Sequence, residues 1–251
     1  MTLSTSTESR RRQPLRHVWA PLGVASVPVM ERIRFHFDPR CPWCYQTSRW
    51  ASRLEELGEV AIDWAVFSLE VVNLPEGDDP LTIDARSGPA LRTSVVLRDR
   101  VGTKAVGDLY HALGKRIWET APPMSVEDLD GIRDALLEIG AEPSILDDAM
   151  ADRSTWEAVV KEHNEIVDRT NAFGVPTIVL DGGEGPAIFG PVIYKLPEDD
   201  ESIELWRHTE WLVRNANFAE LKRGRGGLPD LPSIEWRMQQ RATAAAAGNK
   251  A

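Results

Sequence analysis

The chain has 251 residues, 42% of them hydrophobic and 27% charged, and a formal net charge of −10. This is enough chain and apolar content for one large domain, or for a domain carrying a sizeable insertion. The acidic balance weighs against a nucleic-acid or anionic-membrane partner, because neither phosphates nor acidic lipids attract a negative surface.

Residues 1–29 open polar and Ser/Thr-rich, pass through Arg10-Arg11-Arg12, and continue into a weakly apolar stretch. They superficially resemble a twin-arginine signal. Pro21 and Pro28 interrupt the apolar part and no A-x-A-like cleavage site follows, so we expect a disordered tail, with Met30 as an alternative start of translation. No apolar run reaches the roughly 18 residues of a membrane-spanning helix.

Ile33, Phe35 and Phe37 alternate with Arg34, His36 and Asp38, the pattern of a strand, which ends at Pro39. A helix follows from Trp43 to Leu57, with Trp50, Ala51, Leu54 and Leu57 on one side and Gly58 as its stop. Val60, Ile62, Trp64 and Val66 alternate again, completing a right-handed β-α-β unit over 30–75. After the loop residues Pro75 to Pro80 the periodicity becomes helical, giving a helical insertion over 76–171. One stripe is Val106, Leu109, Leu113 and Ile117, and another is Leu129, Ile132, Leu136 and Ile139. Ser125 before Asp128 and Ser154 before Glu157 read as capping boxes. The last helix of the insert carries Trp156, Val160 and His163 on one face, so His163 reads as core.

Thr177 to Leu180, a Gly-rich turn and Ala187 to Phe189 predict a β-hairpin, and Ser202 to Arg214 an amphipathic helix, closing a β-β-α half over 172–223. Residues 224–251 turn to Gly, Pro, Ala and Gln and are expected to form a flexible tail. The order β-α-β, helices, β-β-α makes this an α/β protein of thioredoxin-like fold with a helical insertion.

Two cysteines, and no others, stand at i and i+3 where strand one hands over to a helix: Cys41-Pro42-Trp43-Cys44. That spacing puts both sulfurs on one turn, within disulfide reach. Cys41 at the helix N-terminus should have a lowered pKa and attack as a thiolate, and Cys44, one turn in and more buried, should resolve the mixed disulfide. Pro42 suits the first turn because its missing N–H has no intrahelical partner there. A zinc site needs four ligands, and none of the five histidines has the spacing to complete one, so no metal is expected. With both cysteines in one motif, none remains for a structural disulfide, which fits a reducing, cytoplasmic setting.

Far downstream, Gly174-Val175-Pro176-Thr177 precedes the third strand. Proline is rare at such a place unless its bond is special, so a cis Val175–Pro176 peptide packed opposite the cysteines is expected, with the Val175 backbone free to pair with substrate. Trp43 is expected either at the rim as an aromatic stacking platform or in helix-start packing, Tyr45 as a weaker platform, and Asn73, after the second strand, as a pocket-lining residue or a solvated loop polar. Thr177 joins Pro42, Trp43, Val175 and Pro176 as a substrate-binding candidate. Asp38 and His36 read as a strand-end carboxylate and a satisfied core histidine.

C-P-W-C at a strand-to-helix junction, the insertion and then G-V-P-T resemble the DsbA-like oxidoreductases over residues 31–223. Residues 37–44, Thr47-Ser48-Arg49-Trp50, Phe189-Gly190-Pro191-Val192 and 218–223 are more specifically similar to the actinobacterial mycothiol-dependent nitroreductases. The resemblance implies no tightly bound cofactor and a low-molecular-weight thiol, mycothiol, as reductant. Electrons would pass through Cys41 to disulfides or nitroaromatic compounds. A homodimer stays open. Trp43 instead of histidine between the cysteines, and Phe35 where a buried strand acid would stand, argue against the alternative, a DsbA-type oxidase or isomerase for exported proteins.

Overall fold

The computed structural model describes residues 30–248, so the expectations for 1–29 lie outside the described residues. Strand β1 (Glu31–Phe37) leads into α1 (Pro42–Glu56) and β2 (Val60–Val66). β1 and β2 pair in parallel, with Phe35 opposite Trp64. Later in the chain β3 (Thr177–Val179) runs antiparallel to β1, and β4 (Ala187–Phe189) antiparallel to β3. The sheet order is therefore β2-β1-β3-β4, with β1 and β3 inside. A central strand is covered on both faces, which is why Phe35, Phe37 and even His36 are buried along β1.

Between β2 and β3 lie α2 (Leu69–Val72), α3 (Gly88–Arg100), α4 (Thr103–Gly114), α5 (Leu129–Glu138), α6 (Ser144–Ala151) and α7 (Ser154–Thr170). The stripe Val106, Leu109, Leu113 and Ile117 is wholly buried, and it continues past α4 into a π-helical turn at Lys115–Glu119. In the second stripe Ile132 and Leu136 are buried, whereas Leu129 is exposed. Neither capping box forms as read. Asp128 itself caps α5, accepting from the N–H groups of Asp130 and Gly131, and Ser154 lies inside α7 with its N–H donating to Asp152. A carboxylate is as good an N-cap as a hydroxyl and carries charge suited to the helix dipole.

Helix α8 (Asp199–Arg214) packs on α1 through Trp206 and Trp50, whose ring centroids are 6.2 Å apart, and the Trp50 indole donates to the Ser202 carbonyl. The tail expected over 224–251 needs correction. Residues Pro232–Gly248 form α9, whose start is docked: Leu231 and Ser233 are buried, Ile234 packs on the core, and Arg237 lies over the Trp118 ring. A few apolar anchors among Gly, Pro and Ala suffice to dock a segment whose average composition reads as loose.

Candidate active site

Asp38-Pro39-Arg40 makes a tight turn in which the Cys41 N–H donates to the Asp38 carbonyl, and Cys41 then caps α1 with Pro42 in the first turn. The Cys41 sulfur accepts the Cys44 N–H at 3.3 Å. Both cysteines are free thiols; Cys41 is half-buried and Cys44 is fully buried, its thiol turned toward the His36 carbonyl at 3.8 Å. Across the cleft the Val175–Pro176 bond is cis, and the Cys41 thiol donates to the Val175 carbonyl at 3.5 Å. The two motifs read in the sequence are thus one site.

The expected lowering of the Cys41 pKa does not hold. Burial pushes this thiol up to about 11, against the helix N–H groups of Cys44 and Trp43, while the Asp38 carboxylate raises it further. Helix N-termini favour a thiolate, but the sulfur is desolvated and shares its pocket with a buried acid, and those effects outweigh the dipole. Burial likewise holds the Cys44 thiol well above the usual thiol range.

Asp38 is more than a strand-end carboxylate. It is fully buried and accepts from the N–H groups of Arg40 (2.8 Å) and Leu69 (2.7 Å) and from the Ser87 hydroxyl (3.2 Å). Desolvation raises its pKa to about 6, opposed by those N–H groups and by Arg40. Arg40 in turn pairs with Glu70 at 2.6 Å, so the turn before Cys41 is tied to α2 and to the start of α3. His36 is only half satisfied: Nδ1 lies 3.4 Å from the Val66 carbonyl, while Nε2 has no partner among the described residues. Burial lowers its pKa to about 3. His163 is core as read, its ring 4.3 Å from that of Phe67 and its Nδ1 accepting from the Ser68 N–H.

Trp43 is not an open platform. The residue is 9% exposed, and its ring lies edge-on to Tyr194 at 5.2 Å and has the Arg225 guanidinium 5.0 Å from its centroid. Tyr45 is buried, its hydroxyl donating to Glu119 at 2.7 Å. Thr177 is buried too, and its hydroxyl is turned away to the Gly174 carbonyl. Pro42 follows Cys41 and opens α1, and Pro176, next in the chain to the Val175 carbonyl that Cys41 meets, accepts the Gly190 N–H. Asn73 donates to the Leu69 carbonyl and lines a cleft of about 540 Å³ with Arg40, Glu70 and Ile83.

Sequence reading missed two residues at the site. Tyr194 follows the cis Gly190–Pro191 bond and is held by α1: the Gln46 side chain donates to its carbonyl and Thr47 to the Pro191 carbonyl. The proximity of the quoted Phe189-to-Val192 stretch was a usable signal for it. Arg225 sits in a Gly-rich segment that offered none.

Residues 40–223 match the family model described as "Rv2466c-like: Mycothiol-dependent nitroreductase Rv2466c". Over 203 residues the chain is 32% identical to the uncharacterized protein Rv2286c of Mycobacterium tuberculosis, covering 77% of this chain and 82% of that one. Among solved structures it is similar to the cytosolic disulfide reductase DsbM of Pseudomonas aeruginosa, with a TM-score of 0.52 and 16% identity over 72% of this chain and 99% of that one. It is also similar to the "probable DsbA oxidoreductase SCO1869" of Streptomyces coelicolor, with a TM-score of 0.50 and 17% identity over 80% and 97% of the two chains. At those identities the structures speak for the fold alone, and that fold is the DsbA-like one. By the family match, with its paired thiols at the head of α1, this chain belongs to the Rv2466c-like family of thioredoxin-fold thiol–disulfide oxidoreductases.

Proposed function

We propose that the protein is a cytoplasmic, low-molecular-weight-thiol-dependent reductase, with mycothiol as its reductant and disulfides or nitroaromatic compounds as electron acceptors. The observation that carries the reading is the asymmetry of the dithiol: Cys41 is half-buried and meets the Val175 carbonyl at 3.5 Å, whereas Cys44 is fully buried behind it. The description of the family model supports mycothiol as the thiol.

In this reading Cys41 attacks one sulfur of a substrate disulfide, forming a mixed disulfide and expelling a thiolate that takes a proton from solvent. Cys44 gives up its proton and attacks Cys41, which closes the Cys41–Cys44 bond and expels the second substrate thiolate. The protein has lost two electrons and the substrate has gained them. Two molecules of the small thiol then reduce the pair: the first forms a mixed disulfide with Cys41 and frees Cys44, and the second displaces Cys41 to leave a symmetrical thiol disulfide. In this reading the Val175 carbonyl, which meets the Cys41 sulfur, and Pro42 and Pro176 beside these two residues in the chain receive the substrate, and the cleft that Asn73 lines together with Arg40, the residue before Cys41, takes the rest of it. Trp43 between the cysteines supplies none of the positive charge with which a histidine at that place stabilises the reduced form of a strong oxidase.

The test presents oxidised protein separately with mycothiol, glutathione and thioredoxin and counts free thiols by intact mass after alkylation. Mycothiol should reduce the protein fastest, and failure of all three would end the reading. Cys41→Ser should abolish turnover, and Cys44→Ser should accumulate a mixed disulfide heavier by one bound thiol. Full activity in both variants would eliminate the dithiol mechanism.

A further inference from the structure

The C-x-x-C itself supplies no positive side chain, because Trp43 stands between Pro42 and Cys44. The fold brings one from the far end of the chain. The stretch between α8 and α9 has almost no regular structure, yet it is fixed over the site: the Gly226 N–H donates to the Tyr194 hydroxyl at 2.6 Å and the Asp230 N–H to the Tyr194 carbonyl at 2.9 Å. Lys195 pairs with Asp230 at 3.4 Å, and buried Leu231 and Ser233 anchor the downstream side. Tyr194 also packs against Trp43, so the stretch is tied to the residue next to Cys44. Immediately upstream of these ties Arg225 lays its guanidinium over Trp43, 5.0 Å from the ring centroid, a geometry in which the ring face attracts the cation and holds it in place. Among the described residues Arg225 enters no ion pair, so its charge is not neutralised by a carboxylate.

We propose that Arg225 is a positioning residue for the redox centre: the C-terminal stretch carries its charge across Trp43 to favour negative charge on the Cys41 sulfur during thiol–disulfide exchange. The inference rests on the reading of Cys41 as the attacking sulfur. Arg225 does not touch the sulfur; it acts through the field at the head of α1. Its sign is the helpful one, since it counts among the influences that favour the Cys41 thiolate, against desolvation and the Asp38 carboxylate. The other ionisable groups around Cys41 are Cys44 on α1, Tyr110 on α4, and the Arg40–Glu70 pair that joins the turn to α2. None of them supplies an unneutralised positive charge: Arg40 is spent on Glu70 at 2.6 Å.

The test needs no substrate. Reduced full-length protein is alkylated with iodoacetamide across a pH series, and Cys41 modification is followed by peptide mass for the wild type, Arg225→Lys, Arg225→Ala and Arg225→Glu. We expect the Cys41 profile to move to higher pH in Arg225→Ala by about half a unit, about threefold in rate at fixed pH. Arg225→Glu should move it further, Arg225→Lys should retain the wild-type profile, and 1 M KCl should shrink the differences. Superimposable profiles for wild type, Ala and Glu would overturn the proposal. So would equal shifts in Lys, Ala and Glu, which would mean that the stretch had merely come loose; Tyr194→Phe, which removes the acceptor for Gly226 but leaves the charge, shows what that looseness does alone. Because alkylation involves neither reductant nor acceptor, the outcome is independent of whether mycothiol reduces the protein.

Discussion

Cys41 and Val175 stand 134 positions apart in the chain, and the thiol of one donates to the carbonyl of the other at 3.5 Å. The contact exists because β1 and β3 are neighbours in the sheet, with His36 opposite Thr177, so the ends of two strands deliver the C-x-x-C turn and the cis-proline turn to the same place. On the proposed function, the carbonyl that an incoming substrate would use is occupied by the attacking thiol in the reduced protein, and substrate displaces that hydrogen bond as the sulfur loses its proton.

The first expectation concerns that proton. With the Cys41 pKa raised to about 11, chiefly by burial, only a small fraction of the free enzyme is thiolate at neutral pH. Alkylation of Cys41 should climb about tenfold per pH unit from pH 7 to 10 and level only near 11. A plateau below pH 8 would show that the helix N-terminus, rather than desolvation, controls the sulfur.

Acid should destabilise the fold well above the range where ordinary carboxylates titrate. Burial brings the ring pKa values of His36, His111 and His163 down to about 3, 4 and 4, so between pH 4 and 6.5 the unfolded chain binds protons that the native state refuses. Their stabilisation is present above pH 6.5 and is lost as the pH falls. Asp38 works in the opposite sense: with its pKa raised to about 6 it is protonated in the native state and ionised in the unfolded one, which favours folding at low pH. Three histidines against one carboxyl leave about two protons, or ~3 kcal/mol of stability lost per pH unit in the middle of that window. Urea midpoints at pH 6.5 and pH 5 check this, and an equal or higher midpoint at pH 5 would contradict it.

Gly114 closes α4 where the Tyr45 ring lies against it, and a Cβ there would overlap that ring. Tyr45 has no room to yield, being buried and hydrogen-bonded to Glu119. Gly114→Ala should cost about 1–3 kcal/mol in chemical denaturation, and Gly58→Ala is a poor control because Gly58 has a φ of +78°. Gly226→Ala, where no atom lies near the added carbon, is the better one.

Leu231 is 1% exposed although its neighbours on both sides are polar or proline. Leu231→Ala should undock the start of α9, seen as faster amide exchange over 232–238 with unchanged exchange in α1 and β1. Equal protection in variant and wild type would mean that α9 is held from elsewhere.

Much of the architecture was legible because period alone reveals it. Ile33, Phe35 and Phe37 alternate, Trp50, Ala51 and Leu54 recur at helical spacing, and both patterns survive into β1 and α1 because each element buries one coherent set of side chains. Cap assignment was less legible, since Ser125 and Asp128 both satisfy a cap pattern and only the bend of the chain chooses between them. The sequence left Trp43 open between a stacking platform and helix-start packing for a related reason: nothing local to Trp43 says that Tyr194 and Arg225 will cover it.

By itself the sequence determined the chemistry available to this protein: two thiols, one turn apart, at the head of a helix, with a proline motif suited to face them. Covalent spacing and backbone preference are local, so they can be read from neighbours in the chain. Tertiary structure alone decided the electrostatic setting of those thiols. It half-buried Cys41 close to the fully buried Asp38, tied Asp38 to Leu69 and Ser87, and brought Arg225 across Trp43 from nearly two hundred positions away. Desolvation and charge act through space, and distance along the chain does not report them.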